Sequence, residues 1–377
     1  MSVFDVDFRA TFCTKIQNVA QCFLVFASSV SFAADLQLEP GLVLPLEPLG
    51  MTVSPKGTFL ISGRSLEGST NQIIEISKSG EIANFPPESV KRNSKKETFE
   101  FDSIDGLQSD KNGVIWMLDN GRRSELPPKI VAWDYQQKRL KRVFNLVAPS
   151  VLPGSQLHDL AVDPNFPFIY LADPANGMDA ALVVLDLTTG QARRLLQGHP
   201  SVVPVAGLRL EIDGQNLHST RLDGRAADPQ GGVNPLVVDK KGEWLYFAPL
   251  RSKRLYRIKT EHLRNDALSA EDLAGLIEEY AEKPLCDGIT IDAKGNVFIS
   301  DLASKSIGVI SAETRKYSAL VTDSRLLWPD GLCFGLDGKL YFFTNELKAT
   351  PERLRSATPT SSRLFKMETS LSGLEGG

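Results

Sequence analysis

A hairpin-like phrase recurs six times in this 377-residue chain and restricts the fold more than any other feature. Each copy opens on a small or polar residue, often Asp-Gly, and runs through an alternating apolar strand into a turn. It then returns as a second apolar or aromatic strand. The copies are Leu49 to Arg64 (LGMTVSPKGTFLISGR), Asp105 to Asn120 (DGLQSDKNGVIWMLDN), His158 to Asp173 (HDLAVDPNFPFIYLAD), Asn234 to Pro249 (NPLVVDKKGEWLYFAP), Asp287 to Asp301 (DGITIDAKGNVFISD) and Asp330 to Asn345 (DGLCFGLDGKLYFFTN). Turns built from Asp, Lys, Asn and Gly tolerate the positive φ that tight hairpins need.

After most copies a second apolar pair follows: Asn71–Ile76 with Glu81–Phe85, Lys129–Trp133 with Leu140–Leu146, Ala181–Leu187 with Gln191–Leu196, and Ile307–Ile310 with Tyr317–Val321. Four strands per repeat is the unit of a propeller blade. Behind the sixth hairpin only Arg363–Met367 remains, while Leu36–Leu44, ahead of the first, has no partner of its own. Pairing the two removes the exposed edges at the seam. The expected architecture is therefore all-β: a six-bladed β-propeller over 34–370, its last blade completed by an N-terminal strand, with 371–377 a flexible tail. Two stretches depart from the pattern. The polar excursion Gly198–Gly232 predicts a long loop over one face of the disc. Ser269 followed by Asp272, with Leu273, Leu276, Ile277 and Tyr280 on one stripe, predicts a short helix over Ser269–Tyr280, ahead of an outer strand near Tyr280–Lys283.

At the start, Arg9 and Lys15 precede an apolar run, Val19–Ala33, that ends in small residues; the expectation is a signal peptide over 1–33 and a secreted protein, extracellular or periplasmic. Export removes Cys13 and Cys22. Cys286 and Cys333 flank the motif too far apart to bridge, and both are expected as buried free thiols. A net charge of -4 and only short basic runs, Lys91-Arg92 and Lys95-Lys96, speak against a nucleic-acid partner. No membrane contact is expected after cleavage, and the chain is expected to be a monomer.

The segments DGLQSDKNGVIWMLDNG, PKIVAWDYQQKRLKRVFNL, FIYLADP, ALVVLDLTTG, GEWLYFAPLRSKRLYRI, CDGITIDAKGNVFISDL and WPDGLCF resemble, in this order, those of the Yellow/major royal jelly protein family, including its bacterial-type, dopachrome tautomerase-related members. The resemblance extends from about Gly50 to Phe343 and implies a secreted six-bladed propeller. It implies a range of roles: dopachrome conversion, binding of biogenic amines, nutritional or structural use. The extra cysteines typical of insect members are missing here.

First strands line a propeller's channel, so the residues opening each hairpin are expected to converge: Leu49, Asp105, His158, Asn234, Asp287 and Asp330. Three carboxylates, an imidazole and an amide around one opening are costly to desolvate without a partner, which marks a small-molecule site. An Asp before Gly also caps its own turn, a purely structural role. His158, Asp105 and Asp287 are the candidate catalytic groups, His158 as acid/base because imidazole titrates near neutrality. Asn234, Asp330, Asp159, Asn120, Asn345, Trp328 and Phe343 are candidate ligand contacts, with Trp116 and Tyr246 as further aromatic wall and Arg64 as a weaker channel residue. Two other readings stay open. Asp and Asn oxygens suit Ca²⁺, and the ring is similar to that of gluconolactonase propellers, which implies a metal-dependent lactonase; those proteins, however, supply a Glu from the first blade where this chain has Leu49, with Glu47 two residues away. The third reading is a non-catalytic secreted ligand-binding protein.

Overall fold

The computed structural model describes residues 38–65, 72–87, 101–121, 126–216, 219–220, 226–227, 231–345 and 362–369. The expected signal peptide, its two cysteines and the tail lie outside them. Among the described residues, strands form six four-stranded antiparallel sheets and two two-stranded ribbons.

Blade 1 comprises Leu46–Val53, Phe59–Ser65, Gln72–Ile76 and Ile82–Phe85; blade 2, Ile104–Ser109, Val114–Asp119, Lys129–Asp134 and Arg139–Asn145. Blade 3 comprises Leu160–Val162, Phe168–Asp173, Ala181–Asp186 and Ala192–Leu195; blade 4, Val233–Val238, Trp244–Pro249, Arg254–Lys259 and Glu278–Glu282. Blade 5 holds Ile289–Ile291, Val297–Asp301, Ser306–Ile310 and Tyr317–Thr322. Blade 6 holds Pro329–Phe334, Leu340–Thr344 and Arg363–Met367, and its fourth strand is Leu42–Val43, with Leu42 opposite Leu364 and Val43 opposite Arg363. The seam closes as the unpaired segments require. The inner strand of blade 1 touches those of blades 2 and 6, so the blades close into a ring.

Period-2 alternation explains the packing, because successive side chains of a strand face opposite neighbours. Ile169 and Leu171 pack toward blade 2, whereas Tyr170 and Ala172 pack toward blade 4. Phe342 enters the core shared with blade 5; Phe343, one residue on, enters the core shared with blade 1. Each neighbouring pair of blades thus encloses its own apolar core. Polar clasps tie some of these joints: Tyr135 donates to Glu75 at 2.5 Å between blades 2 and 1, and Arg264 meets Asp163 at 2.7 Å between blades 4 and 3.

Among its described residues, the excursion carries the ribbons Glu211–Ile212 with Gln215–Asn216 and Ser219–Thr220 with Ala226–Ala227. Its Leu208, Leu210 and Ile212 pack on Leu250, Leu302 and Trp328. The expected helix is shorter than the apolar stripe implied. It covers Ala270–Ala274, with Ser269 capping Asp272 N–H at 3.1 Å and Gly275 ending it. The outer strand expected near Tyr280–Lys283 is Glu278–Glu282, and its backbone pairing with Arg254–Lys259 takes over where the helical spacing continued. A second short helix, Thr260–Arg264, had no signal in the stripe pattern. Cys286 is buried, Cys333 half-buried, and both are free; burial raises the two thiols, Cys333 to about 12.

The hairpin openings are where the blades come closest. In blades 1, 2, 4 and 6 the ladder between the first two strands shifts register there, at Pro48/Gly50, Ile104/Leu107, Val233/Leu236 and Asp330/Cys333. Such bulges re-aim side chains and bend the strand. A β-carbon on Gly50 would stand 2.2 Å from the carbonyl oxygen of Asp105, and one on Gly288 2.6 Å from Asp330 Oδ1. The Asp-Gly phrase is thus a packing requirement between neighbouring inner strands. Gly50→Ala should cost about 2–4 kcal/mol in denaturant unfolding, since backbone must move. Gly154→Ala, with nothing within 4 Å, should change stability by less than about 0.5 kcal/mol.

Candidate functional site

The channel is a cavity of about 610 Å³ bounded by all six inner strands. It runs from the hairpin openings, where His158, Asp159, Asp287 and Asp330 line it, to the turns at Ser54-Pro55, Asp110–Gly113, Asp163-Pro164 and Asp239-Lys240. A space of this size holds a small organic molecule.

Around the openings most of the ring is buried and engaged. Asp105 is 2 % exposed and accepts from Asn120 Nδ2 at 2.7 Å, while its backbone carbonyl accepts from the Ser62 hydroxyl at 2.6 Å. Asp287, 3 % exposed, accepts from the Asn234 amide through one oxygen and from Trp328 Nε1 through the other. Asp330 Oδ1 accepts the N–H of Gly331 at 2.7 Å, the local cap that an Asp-Gly opening allows. His158 and Asp159 are half-buried at the channel wall.

Asp159 differs from the rest. It occupies the second position of the third hairpin, where copies one, two, five and six have Gly. Where those copies have no side chain, blade 3 puts a carboxyl group. Asp159 Oδ1 accepts the N–H of Leu160 at 2.8 Å, and the carboxyl also takes the N–H of Leu236, across the joint to blade 4. Burial raises its pKa from the ordinary 3.8 to about 7; the two backbone N–H groups pull the other way, and the negative charges of Asp287 and Asp105 add to the rise. A carboxyl poised at neutrality on the wall of a cavity is suited to give and take protons.

Several expected contacts lie elsewhere. Phe343 is fully buried in the core between blades 6 and 1; Trp116 packs in the joint between blades 2 and 3, and Tyr246 in that between blades 4 and 5, edge-on to Tyr280 at 5.0 Å. None of the three lines the channel, because strand alternation turns these side chains into the joints. Trp328 stands behind the ring as a donor to Asp287. Asn120 supports Asp105. Asn345 donates to the carbonyl of Pro48 at 2.9 Å and so ties blade 6 to blade 1. Arg64 turns to Glu47, 3.8 Å away. Of the isolated histidines, His199 bonds Ser201 at 2.8 Å and His262 sits in the helix Thr260–Arg264; His218 lies outside the described residues.

The donor set does not suit a divalent cation. Both Asp287 oxygens already face N–H donors, and Glu47 points at Arg64 instead of the ring. Leu49 offers no oxygen in its side chain, and among the described residues no three His, Cys, Asp or Glu side chains converge as a metal requires. The buried Asn234 Oδ1 accepts no hydrogen bond, so the case against a cation rests on Asp287 and Glu47.

The family model described as "Major royal jelly protein" matches residues 103–367. A search of curated proteins found no match. Among solved structures, the chain is similar to a gluconolactonase from Xanthomonas campestris (14 % identity, TM-score 0.53, 89 % of this chain and 90 % of that one). It is also similar to a calcium-binding protein, regucalcin, from Agrobacterium tumefaciens (15 %, 0.54, 87 % and 93 %). A PQQ-bound aldose sugar dehydrogenase from Streptomyces coelicolor matches as well (13 %, 0.52, 88 % and 97 %). At such identities these likenesses establish the fold, which carries unrelated chemistries.

The raised Asp159 pKa has a signed consequence. Between about pH 4 and about 7 the folded chain keeps a proton that the unfolded chain releases, so this carboxyl's stabilising contribution is complete below the unfolded value and is lost as pH rises through 7. Denaturant unfolding of Asp159→Asn should lack this part of the decline, a difference of about 2 kcal/mol for a partly exposed group.

Proposed function

The chain belongs to the major royal jelly protein family, and from that premise we propose that its channel is a proton-transfer site for a small polar aromatic molecule, an isomerase of the dopachrome-tautomerising kind. The observation that carries this reading is Asp159: a carboxyl on the wall of a 610 Å³ cavity, brought to about 7 by burial and by two neighbouring carboxylates. Tautomerisation asks little else of a protein. One bond to hydrogen breaks at a ring carbon, another forms at an oxygen, and no electrons are gained or lost overall. Ionised Asp159 takes the proton from carbon; the protonated carboxyl then returns a proton to the oxygen. Near neutrality both forms are populated, which is the condition for efficient general acid–base catalysis.

Asp287 and Asp330, on the same wall, hold negative charge that orients the electron-poor part of a substrate, and Asp105 acts through its field on Asp159. His158, beside Asp159, is a second proton carrier on the path to solvent. The apolar run Val19–Ala33 extends the proposal to an exported protein. A metal-dependent lactonase is the second reading; Asp287, whose two oxygens both face N–H donors, weighs against it.

With dopachrome as substrate, the parent protein should accelerate its conversion to the isomeric dihydroxyindole carboxylic acid, with the carboxyl group retained and kcat/KM rising through an apparent pKa near 7. Asp159→Asn should lower the rate by about 10²–10⁴-fold and remove that rise. Unchanged turnover in Asp159→Asn, or no acceleration by the parent, would discard the assignment.

A further inference from the structure

The joint between blades 2 and 3 does not close completely. Outboard of the channel, past the turns Asp110–Asn112 and Val162–Pro164 that the two spaces share, it opens into a second cavity of about 540 Å³. Drug-sized and smaller ligands occupy spaces of about 300–1,000 Å³.

Its wall is aromatic and its edge is cationic. Trp116 and Phe144 stand with ring centroids 6.4 Å apart at 37°, and Phe166, half exposed and with the Arg264 guanidinium 3.9 Å over its ring, also lines the cavity. The Arg142 guanidinium lies 4.2 Å above the Phe144 ring and donates to the carbonyl of Leu187 at 2.7 Å. Lys111 and Lys141 are exposed at the same cavity. Two carboxylates share the lining, and both are already committed. Asp110 accepts the N–H groups of Asn112 and Val114 and, at 3.0 Å, Trp116 Nε1. Asp163 accepts from Asn165 and Phe166 N–H and is ion-paired with Arg264. Counting Arg264, four cations stand against two anions, and the two lysines have no anionic partner among the described residues.

We propose that this cleft is a second ligand site that binds a planar aromatic carboxylate, its ring against Trp116 and Phe144 and its carboxylate at Lys111 and Lys141. Flat apolar walls supply the affinity for a ring. The surplus of positive charge selects an anion over a neutral or cationic analogue, and charge-assisted hydrogen bonds from ammonium groups fix its orientation. The assignment is independent of the channel chemistry, since it uses neither Asp159 nor the ring.

The test is a titration of the full chain with 1-naphthoate, read by calorimetry and by tryptophan fluorescence, alongside 1-naphthalenemethanol and 1-naphthylmethylamine. The expected result is saturable binding of one naphthoate per chain, at least tenfold weaker binding of the alcohol, and none of the amine. The double variant Lys111→Glu/Lys141→Glu, altered only at exposed positions, should lose at least tenfold in affinity while keeping the parent's circular dichroism. Trp116→Phe should lose the fluorescence response, and Asp159→Asn should bind as the parent does. Equal affinity for acid and alcohol, an unaffected lysine variant, or loss of binding in Asp159→Asn would overturn the proposal; the last would place the probe in the channel.

Discussion

The close approach of neighbouring inner strands at the hairpin openings is the constraint on which the rest of this molecule depends. Where six wedge-shaped sheets meet around an axis there is little space at the points of contact, as Gly50 under the carbonyl of Asp105 shows. The same approach draws the residues before these glycines together. A dense ring of acids is therefore a by-product of closure before it is anything else, and each acid needs a donor. Asn120, Asn234, Trp328 and the N–H of Gly331 supply them.

Against that background the third blade breaks the pattern. By placing Asp159 where four of the other blades have Gly, it adds a carboxyl to a ring whose donors are largely engaged. Two backbone N–H groups are not enough to offset burial and the fields of Asp287 and Asp105, so the group holds its proton to about neutrality. A feature that costs stability as pH rises, and that faces a cavity, is readily understood as functional. The neighbouring cleft between blades 2 and 3 reflects the same geometry: blades diverge with radius, and where large side chains such as Trp116 do not fill the gap, space is left.

Much of the fold was legible in the sequence because hairpins are local. The six copies, Arg363–Met367 as the last central strand and its pairing with the N-terminal segment all follow from period-2 alternation and from counting unpaired strands. Helical spacing carried the expected helix past Ala274, where it ends, since pairing of Glu278–Glu282 with the neighbouring strand outweighs a stripe of four apolar residues. The site was half legible. Asp105, Asp287 and Asp330 could be placed in one ring from repeat position alone, but which carboxyl stays unsatisfied depends on donors distant along the chain, such as Trp328 Nε1 and Leu236 N–H. Phe343 and Trp116 looked like walls of the channel because sequence does not reveal which side of a blade faces a joint. The signal that would have singled out Asp159 was present: it is the acid that occupies a glycine position in the repeat.

The most direct measurement is the titration of the Asp159 side-chain carboxyl itself, followed by its ¹³C chemical shift from pH 3 to pH 9 in the intact protein, with Asp159→Asn identifying the resonance. A midpoint near 7, moving down when Asp287 is replaced by Asn, is the predicted result. A midpoint near the ordinary value for aspartate would contradict the account, because the crowded inner strands would then not have produced a proton-exchanging group.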